Sequence, residues 1–460
     1  MSDTGSLAQP LGTATSGQAL PEVVFSITVA GKTIPAEKFD IVGGSYGSTG
    51  HVQISTSQTA LSDANIDLFE ITSSSPGFVE VDITVQTNQQ GPQQGTVTTT
   101  ETGGPGTDQP NEVRIFGGEY LNTKWHMDTD EVVIRARDWS GQLVDQKRIL
   151  TKIGKAVESA LHPLAPGRIS AAGISNENQK VGNIVTSIAN EFGFNPILNL
   201  EGTSGNPTLG TLYSSSDQVY LPTPQSLWNI LNQLARDTGY DVYVTPNKDL
   251  VFGLPGAGQP TIQLIYESPN YADGVNPIRD LIFEHHPRRN SSFRVVVISY
   301  DPAHAQSVIG RAAYIGANFA GGNGLTAGIV TGQQAVTADK QIAKLNTTSS
   351  QIALYTFHLD GLNQQQADLR AGTIARDIAK REVIITGSID GIPSILPTQQ
   401  VQISGPTIPQ QFSGPTYYIS QYRHSFSIPK GMTKRGDDGW MTHLTALNIP
   451  TEALAAATEG

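Results

Sequence analysis

Apolar and polar residues alternate strictly in the first third of the chain. Single residues separate the apolar positions from Val23 to Val29, and the same spacing recurs from Val79 to Val85 and from Val132 to Asp138. A period of two is typical of a strand with one buried face. Val113 and Ile115 continue the pattern, and Asp138-Trp139-Ser140-Gly141 reads as a turn. This part of the chain is therefore predicted to be all β.

Two passages have no periodicity. Asn88 to Pro110 is rich in Gln, Gly, Thr and Pro, which predicts a long loop between strands. Ile309 to Gly332 is rich in Gly and Ala, and we interpret it as a loop or an extended arm.

The middle of the chain contains a repeated unit with helical spacing. Apolar residues recur every three or four positions from Val181 to Ala189 and again from Leu227 to Ala235, and the two patterns stop at Gly193 and Gly239. Each unit is predicted to be a helix, a glycine and a strand. The pattern indicates a small α+β domain.

The second unit also carries capping and turn signals. Thr223 is predicted to cap its helix, with Pro224 in the first turn and Gly239 as the left-handed residue that ends it. The following strand, Asp241 to Thr245, is expected to turn back through Pro246 to Asp249 as a hairpin.

The last part of the chain returns to strands around one helix. Arg294 to Tyr300 is a predicted strand, and Ala371 to Ile378 has the apolar stripe of an amphipathic helix, which leads into a strand from Val383. Two terminal strands are predicted over Tyr417 to Ser427 and Met441 to Leu447.

Composition narrows the class of protein. A chain of 460 residues is too long for one hydrophobic core. Charged residues make up only 15% of the chain, which favours a β protein that forms assemblies. The net charge of -12 disfavours nonspecific binding to nucleic acid. The chain has no cysteine, which excludes disulfides, thiolate metal sites and cysteine nucleophiles. Residues 1–20 lack the regions of a secretory signal, and no apolar run approaches about 20 residues, so we expect folding in the cytoplasm.

The residues that could bind a metal or catalyse a reaction also have simple structural interpretations. His285 and His286 are adjacent, and neighbours on a strand point to opposite faces, so they cannot both bind one ion. Glu284, Arg288 and Arg289 make this stretch a predicted surface charge cluster. Asp437-Asp438 lies among glycines and is predicted to be an exposed turn.

Sequence motifs for catalysis or cofactors are missing from the expected contexts. No Gly-x-Ser-x-Gly lies between a predicted strand and a helix, and neither a Walker loop nor a dinucleotide fingerprint opens a helix. We therefore predict no catalytic, cofactor-binding or metal residues. The four tryptophans, Trp125, Trp139, Trp228 and Trp440, are expected to be core residues.

An ordered set of short segments resembles a known family. The segments are Ile115 to Tyr120, Ile134 to Asp138, Leu227 to Phe252, Tyr418 to Phe426 and Thr442 to Leu447. Together they are similar to the phage baseplate hub and late-control-D superfamily, which includes the N-terminal part of type VI secretion spike proteins. The resemblance extends from about Val23 to Pro450.

The resemblance implies a mainly β, α+β fold with two tail-tube-like β-barrels, an inserted small α+β domain and a helix before the C-terminal strands. The expected domains are a flexible N-terminal arm (1–20), a first barrel (21–150), the α+β domain (151–265), a second barrel with one amphipathic helix (266–450) and a tail (451–460).

The same resemblance implies a structural protein of the virion and not an enzyme. It implies a homotrimeric ring that adapts a three-fold central spike to the six-fold tail tube or its initiator, touches other baseplate proteins and lets DNA pass without specific binding. Neither cofactor nor membrane-spanning segment is implied. Excess carboxylates would either keep DNA from adhering to the channel or keep the free subunit soluble.

Two alternatives remain open from the sequence. Glycosidases need two carboxylates roughly 5 to 10 Å apart, and 41 acidic residues leave room for such a pair. A β-rich cell-wall-degrading or carbohydrate-binding tail-associated protein is therefore the second interpretation, although aromatic residues are only 7%. A secretion-system spike fragment is the third, but we see no repetitive β-helix pattern after Pro450.

Overall fold

A computed structural model describes most of the chain. The described residues are 7–9, 23–44, 48–74, 79–87, 112–148, 179–200, 205–212, 225–255, 260–267, 276–286, 292–301, 304–315, 328–345, 353–359, 361–413, 415–427 and 439–448. The predicted loop from Asn88 to Pro110 and the tail beyond Pro450 lie outside them.

The strands and helices are numbered in chain order. The strands are β1 (Leu7–Gln9), β2 (Val23–Val29), β3 (Lys32–Thr33), β4 (Lys38–Gly44), β5 (His51–Ser57), β6 (Glu80–Thr87), β7 (Glu112–His126), β8 (Glu131–Asp138), β9 (Lys147–Arg148), β10 (Asn195–Asn199), β11 (Gln225–Ser226), β12 (Asp241–Val244), β13 (Asp249–Gly253), β14 (Ile262–Tyr266), β15 (Asn276–His285), β16 (Phe293–Asp301), β17 (Gln306–Ile315), β18 (Gly328–Thr331), β19 (Ala353–His358), β20 (Val383–Asp390), β21 (Gln400–Ser404), β22 (Thr416–Ser427) and β23 (Gly439–Asn448). The helices are α1 (Gln58–Asp63), α2 (Leu68–Ser74), α3 (Gly141–Asp145), α4 (Val181–Glu191), α5 (Leu209–Leu212), α6 (Leu227–Thr238), α7 (Gly332–Leu345), α8 (Gln364–Ala379) and α9 (Gln410–Ser413).

Six strands form a closed barrel. In the order β21, β14, β15, β20, β23 and β22, each strand pairs with the next, and β22 pairs with β21 to complete the ring. Leu264, Ile385, Ile403 and Tyr417 are among the buried side chains that fill it. The predicted mainly β fold class is confirmed.

The same hydrogen-bonded sheet continues into the N-terminal part of the chain and curls around a separate core there. We call these N-terminal strands the curled sheet and their core the first core. The strand order of the curled sheet is β2, β6, β7, β8, β5 and β4, all antiparallel, and β1 lies along the outer edge of β2. The alternating residues of β2, β6 and β8 bury one face, as predicted. Leu61 of α1 and Leu68 of α2 cover one end of this core.

β22 belongs to both units. Its residues Gln421 to Ser427 pair with β4, while Tyr417 to Ser427 pair with β23. Phe426 of β22 and Trp440 of β23 lie in the first core, with ring centroids 4.7 and 5.2 Å from that of Phe25. One strand therefore connects the curled sheet to the closed barrel.

The repeated helix, glycine and strand units form the α+β domain. α4 and α6 pack on the three-stranded sheet β10-β13-β12, and Gly193 and Gly239 both have positive φ. The predicted cap of α6 was wrong. Ser226 precedes the helix and accepts a hydrogen bond from the Asn229 N–H at 3.1 Å, because the helix begins at Leu227.

A four-stranded sheet, β18-β17-β16-β19, lies between the α+β domain and the last barrel strands in sequence. α8 packs on one face and α7 on part of the other. The prediction of a loop or arm over Ile309 to Gly332 was wrong for residues 309–315 and 328–332, since these belong to β17, β18 and the first residue of α7. Small residues are needed there: a Cβ at Gly310 would lie 2.1 Å from the Ala367 carbonyl of α8.

Candidate assembly surfaces

The two histidines of the His285–His286 pair have different neighbours. The ring of His285 lies 5.8 Å from that of Phe412, whereas Nε2 of His286 lies 2.9 Å from Oε1 of Glu284. Across the described residues, no three His, Asp or Glu side chains are grouped to hold a metal ion. Arg288, Arg289, Asp437 and Asp438 lie outside the described part of the chain.

No helix that the structure describes is long and apolar enough to cross a membrane.

A polar junction joins the α+β domain to the curled sheet. Nε1 of Trp139 donates to the Pro246 carbonyl at 3.0 Å, and Nζ of Lys248 lies 3.9 Å from the centre of the Trp139 ring. A Cβ at Gly117 would lie 2.4 Å from the same carbonyl oxygen. The α+β domain thus contacts the curled sheet through the turn of the β12–β13 hairpin, which the sequence predicts.

Asp138 lines a small cleft at this junction, together with Gly50, Gly117 and Tyr422. Its carboxylate accepts the Gly50 N–H at 2.6 Å and the Ser140 N–H at 3.1 Å. Burial raises the pKa of Asp138 to about 6, although these hydrogen bonds oppose the shift. The carboxylate therefore fixes the turn after β8 and holds the Gly50 backbone against it.

α8 and the residues after it connect three units. Arg370 pairs with Asp237 of α6, and Nζ of Lys380 lies 3.5 Å from Oδ1 of Asp241 in the α+β domain. The same ammonium lies 5.7 Å from the Tyr418 ring centre of the closed barrel. Burial is the main reason why the pKa of Asp241 is raised, and Lys380 opposes that shift.

The β7–β8 hairpin projects beyond the first core together with α1 and α2. Nε1 of Trp125 donates to Oε1 of Gln58 at 3.2 Å, and the hydroxyl of Thr59 donates to Asp130 at 2.7 Å, so the hairpin rests on the start of α1. We call this region the hairpin end. It exposes the apolar side chains Phe69, Leu121, Trp125 and Met127 and the carboxylates Asp63, Asp67, Glu70, Asp128, Asp130 and Glu131.

One tryptophan prediction fails at the hairpin end. Trp139, Trp228 and Trp440 are buried, but Trp125 is 43% exposed. Trp125 does lie on the core side of its strand, opposite the buried Val132, but β6 pairs with β7 only as far as Glu119, so β6 does not flank Trp125. Alternation identifies the face of a strand and not how far the covering layer extends.

Within the described part of the chain, one face of the four-stranded sheet is covered only in part, by α7. We call it the open sheet face, and it consists of the outward residues of three neighbouring strands: Arg294, Val296, Ile298, Tyr300, Ile309, Arg311, Leu354, Thr356 and His358. Leu354 is 55% exposed and Tyr300 50%. The run Phe293 to Tyr300 is apolar on both faces, a signal in the sequence that the second face also needs a partner.

Comparisons with known proteins show the fold. No protein-family model and no curated protein matches the sequence. The solved structure of a tail protein from Neisseria meningitidis MC58 matches with a TM-score of 0.52 at 14% identity, over 93% of this chain and 96% of that one. The 43 kDa tail protein of prophage MuSo2 from Shewanella oneidensis matches with a TM-score of 0.51 at 11% identity, over 92% and 98%. The chain therefore has the fold of these tail proteins along nearly its whole length.

Proposed function

We propose that this protein is the baseplate hub of a contractile phage tail. In this proposal three copies form a ring that adapts the three-fold central spike to the six-fold tail tube and surrounds the DNA channel. The main observation that supports this proposal is that β22 joins a closed barrel to a curled sheet within one chain. Three such chains would present six similar β units to a six-fold partner.

The proposed partners are further copies of the chain, the central spike, the tail tube or its initiator, and other baseplate proteins. DNA would pass through the channel without specific binding. The virion tail is the proposed location, after assembly in the host cytoplasm. The proposed domains are 21–150, 151–265 and 266–450, with an N-terminal arm and a C-terminal tail, except that β14 (Ile262–Tyr266) is counted with the closed barrel of the last domain.

We infer a structural and not an enzymatic role. The buried polar groups described above are used to join units: Asp138 holds a turn, and Arg370 and Lys380 link α8 to the α+β domain. Large exposed apolar side chains at the hairpin end and on the open sheet face support an assembling protein, since a free monomer rarely exposes such patches.

The test is the solution mass of the full chain, measured by light scattering over a range of concentrations, alone and with the cognate spike protein. We expect about three times 49.0 kDa, either alone or once the spike is added. A chain that stays monomeric and does not bind the spike at any concentration would contradict the hub proposal. Binding or cleavage of peptidoglycan by that monomer would then favour the cell-wall-degrading or carbohydrate-binding alternative.

A further inference from the structure

We propose that the open sheet face of one copy binds the hairpin end of the next copy. The occupant of the uncovered face is thus a second copy of this chain, in a head-to-tail contact. This inference rests on the proposed ring, because it specifies which surfaces of neighbouring copies meet.

The open sheet face has the chemistry of a docking surface. Ile298 and Ile309 are direct cross-strand neighbours, and His358 lies opposite Ile298 on the other side, so the three strands present one continuous row. Leu354 and Tyr300 extend the apolar surface towards its two ends. Flat apolar sheet faces become stable when another layer covers them.

The charges on this face have one sign. Arg294 and Arg311 lie on it, and the described strand residues that point to this side include no Asp or Glu. Arg294 already makes a contact within the chain, so the charge that faces a partner is that of Arg311. α7 covers the remaining part through Ala335 and Ala338, which pack against Ala313 and Ile315. An incoming surface would therefore have to be apolar and acidic.

The hairpin end is apolar and acidic. Met127 is 87% exposed and Phe69 72%. The six carboxylates around them outnumber the lysine at the tip, Lys124. The two surfaces are complementary in charge, and both present apolar side chains that a contact would bury.

Charge decides between the possible arrangements of two copies. Two hairpin ends in contact would place carboxylates against carboxylates, and two open sheet faces would place arginines against arginines. Only a contact between unlike surfaces brings opposite charges together. Contacts between unlike surfaces form closed rings when the rotation between copies allows it, which agrees with a cyclic trimer.

The experiment uses charge reversal and rescue in the full chain. Arg311→Glu on the open sheet face is expected to raise the apparent dissociation constant of the trimer about tenfold or more. Asp128→Lys with Glu131→Lys on the hairpin end should do the same. All three changes in one chain restore opposite charges, so association should return to within about threefold of the original.

Two further variants separate packing from charge. Leu354→Ser should weaken association, because it removes an apolar side chain from the contact. Ile282→Ser is the matched control: Ile282 is 61% exposed, but it lies on β15 of the closed barrel, outside both surfaces. Its association should not change. The melting temperature of every variant reports whether the subunit still folds.

The outcomes for the contact and for the hub differ. If Arg311→Glu and Leu354→Ser leave the dissociation constant of the trimer unchanged, the proposed contact is wrong, whereas the hub proposal still holds. A combined variant no better than the single-surface variants would also overturn the contact. Self-association that follows the charge pattern but never reaches three copies would support the contact and contradict the trimeric hub.

Discussion

Gly117 lies where the curled sheet meets the turn of the β12–β13 hairpin, and its missing side chain sets how closely the two pack. The Pro246 carbonyl lies directly above it and accepts the Trp139 indole N–H. A larger residue would separate the donor from the acceptor. Single positions of this kind hold the units of the protein together.

Gly117→Ala is therefore expected to destabilise the junction by about 2 to 3 kcal/mol, the usual cost of overpacking. The measurement is urea unfolding followed by tryptophan fluorescence. Gly31→Ala is the control: nothing lies within 4 Å of its Cβ position, although φ is +76°. It should cost only about 1 kcal/mol through backbone conformation. Equal effects of the two changes would refute the packing argument.

His424 gives the shared strand a dependence on pH. It is fully buried, Nδ1 lies 2.8 Å from the Thr442 hydroxyl, and burial lowers its pKa from 6.5 to about 3. The unfolded chain binds the proton first as the pH falls, so stability is complete above about 6.5 and is lost progressively towards pH 3.

We expect His424 to account for about 2 kcal/mol of the stability lost between pH 7 and pH 5. In His424→Asn that part of the pH dependence should disappear, whatever the variant costs at pH 7. Denaturant unfolding at several pH values measures how the free energy of unfolding depends on pH in the original protein and in the variant. Parallel slopes for the two proteins would show that His424 does not titrate as argued.

α8 is the element that fastens the α+β domain to the rest of the molecule. Arg370 of α8 and Asp237 of α6 are both largely buried, and Gln233 also donates to Asp237 at 2.8 Å. A buried pair contributes little compared with apolar residues, but removing one partner leaves the other charge without compensation.

Arg370→Met should therefore destabilise the protein by about 3 to 5 kcal/mol, and adding Asp237→Leu should recover most of the loss. Hydrogen exchange of α6 and α8 locates the effect. Arg279→Met is the matched control, since the Arg279–Asp390 pair is about half exposed on both sides and should cost under about 1 kcal/mol. A double variant as unstable as Arg370→Met would contradict this account.

The sequence predicts those elements whose burial is one-sided. β2, β6 and β8 alternate because each has one core face, and α4, α6 and α8 show helical spacing for the same reason. β17 was missed because Gly310, Ala312 and Ala313 leave room for helices on both faces and so resemble a loop. The hairpin end and the open sheet face were missed because residue types do not reveal where a covering layer stops.

β22 makes two units of the molecule depend on each other. It pairs with β4 of the curled sheet and with β21 and β23 of the closed barrel. Arg423 on this strand also forms two 2.6 Å hydrogen bonds with Asp40 of β4. Opening either unit would remove a strand from the other, so we expect them to unfold together.

Phe426→Ala tests this coupling. Loss of a buried aromatic ring from the first core should cost about 3 to 5 kcal/mol. Native-state hydrogen exchange should then show the same loss of protection in β4 and in β20, which lie in different units. Phe293→Ala, in the core of the four-stranded sheet, should leave β4 unchanged. A loss confined to β4 would mean that the units open independently.

The position of β22 also determines when the N-terminal sheet can be completed during synthesis. The last strand that this sheet needs lies far along the chain, since Asp40 and Arg423 are 383 positions apart. At roughly 5 to 20 residues per second, a ribosome needs on the order of 15 to 60 s to reach β22 after it has made β8. Throughout that interval β4 has one free edge and the first core lacks Phe426 and Trp440. The nascent chain therefore carries an unpaired strand edge and an incomplete core for most of its translation, and a chaperone that shields strand edges would act there.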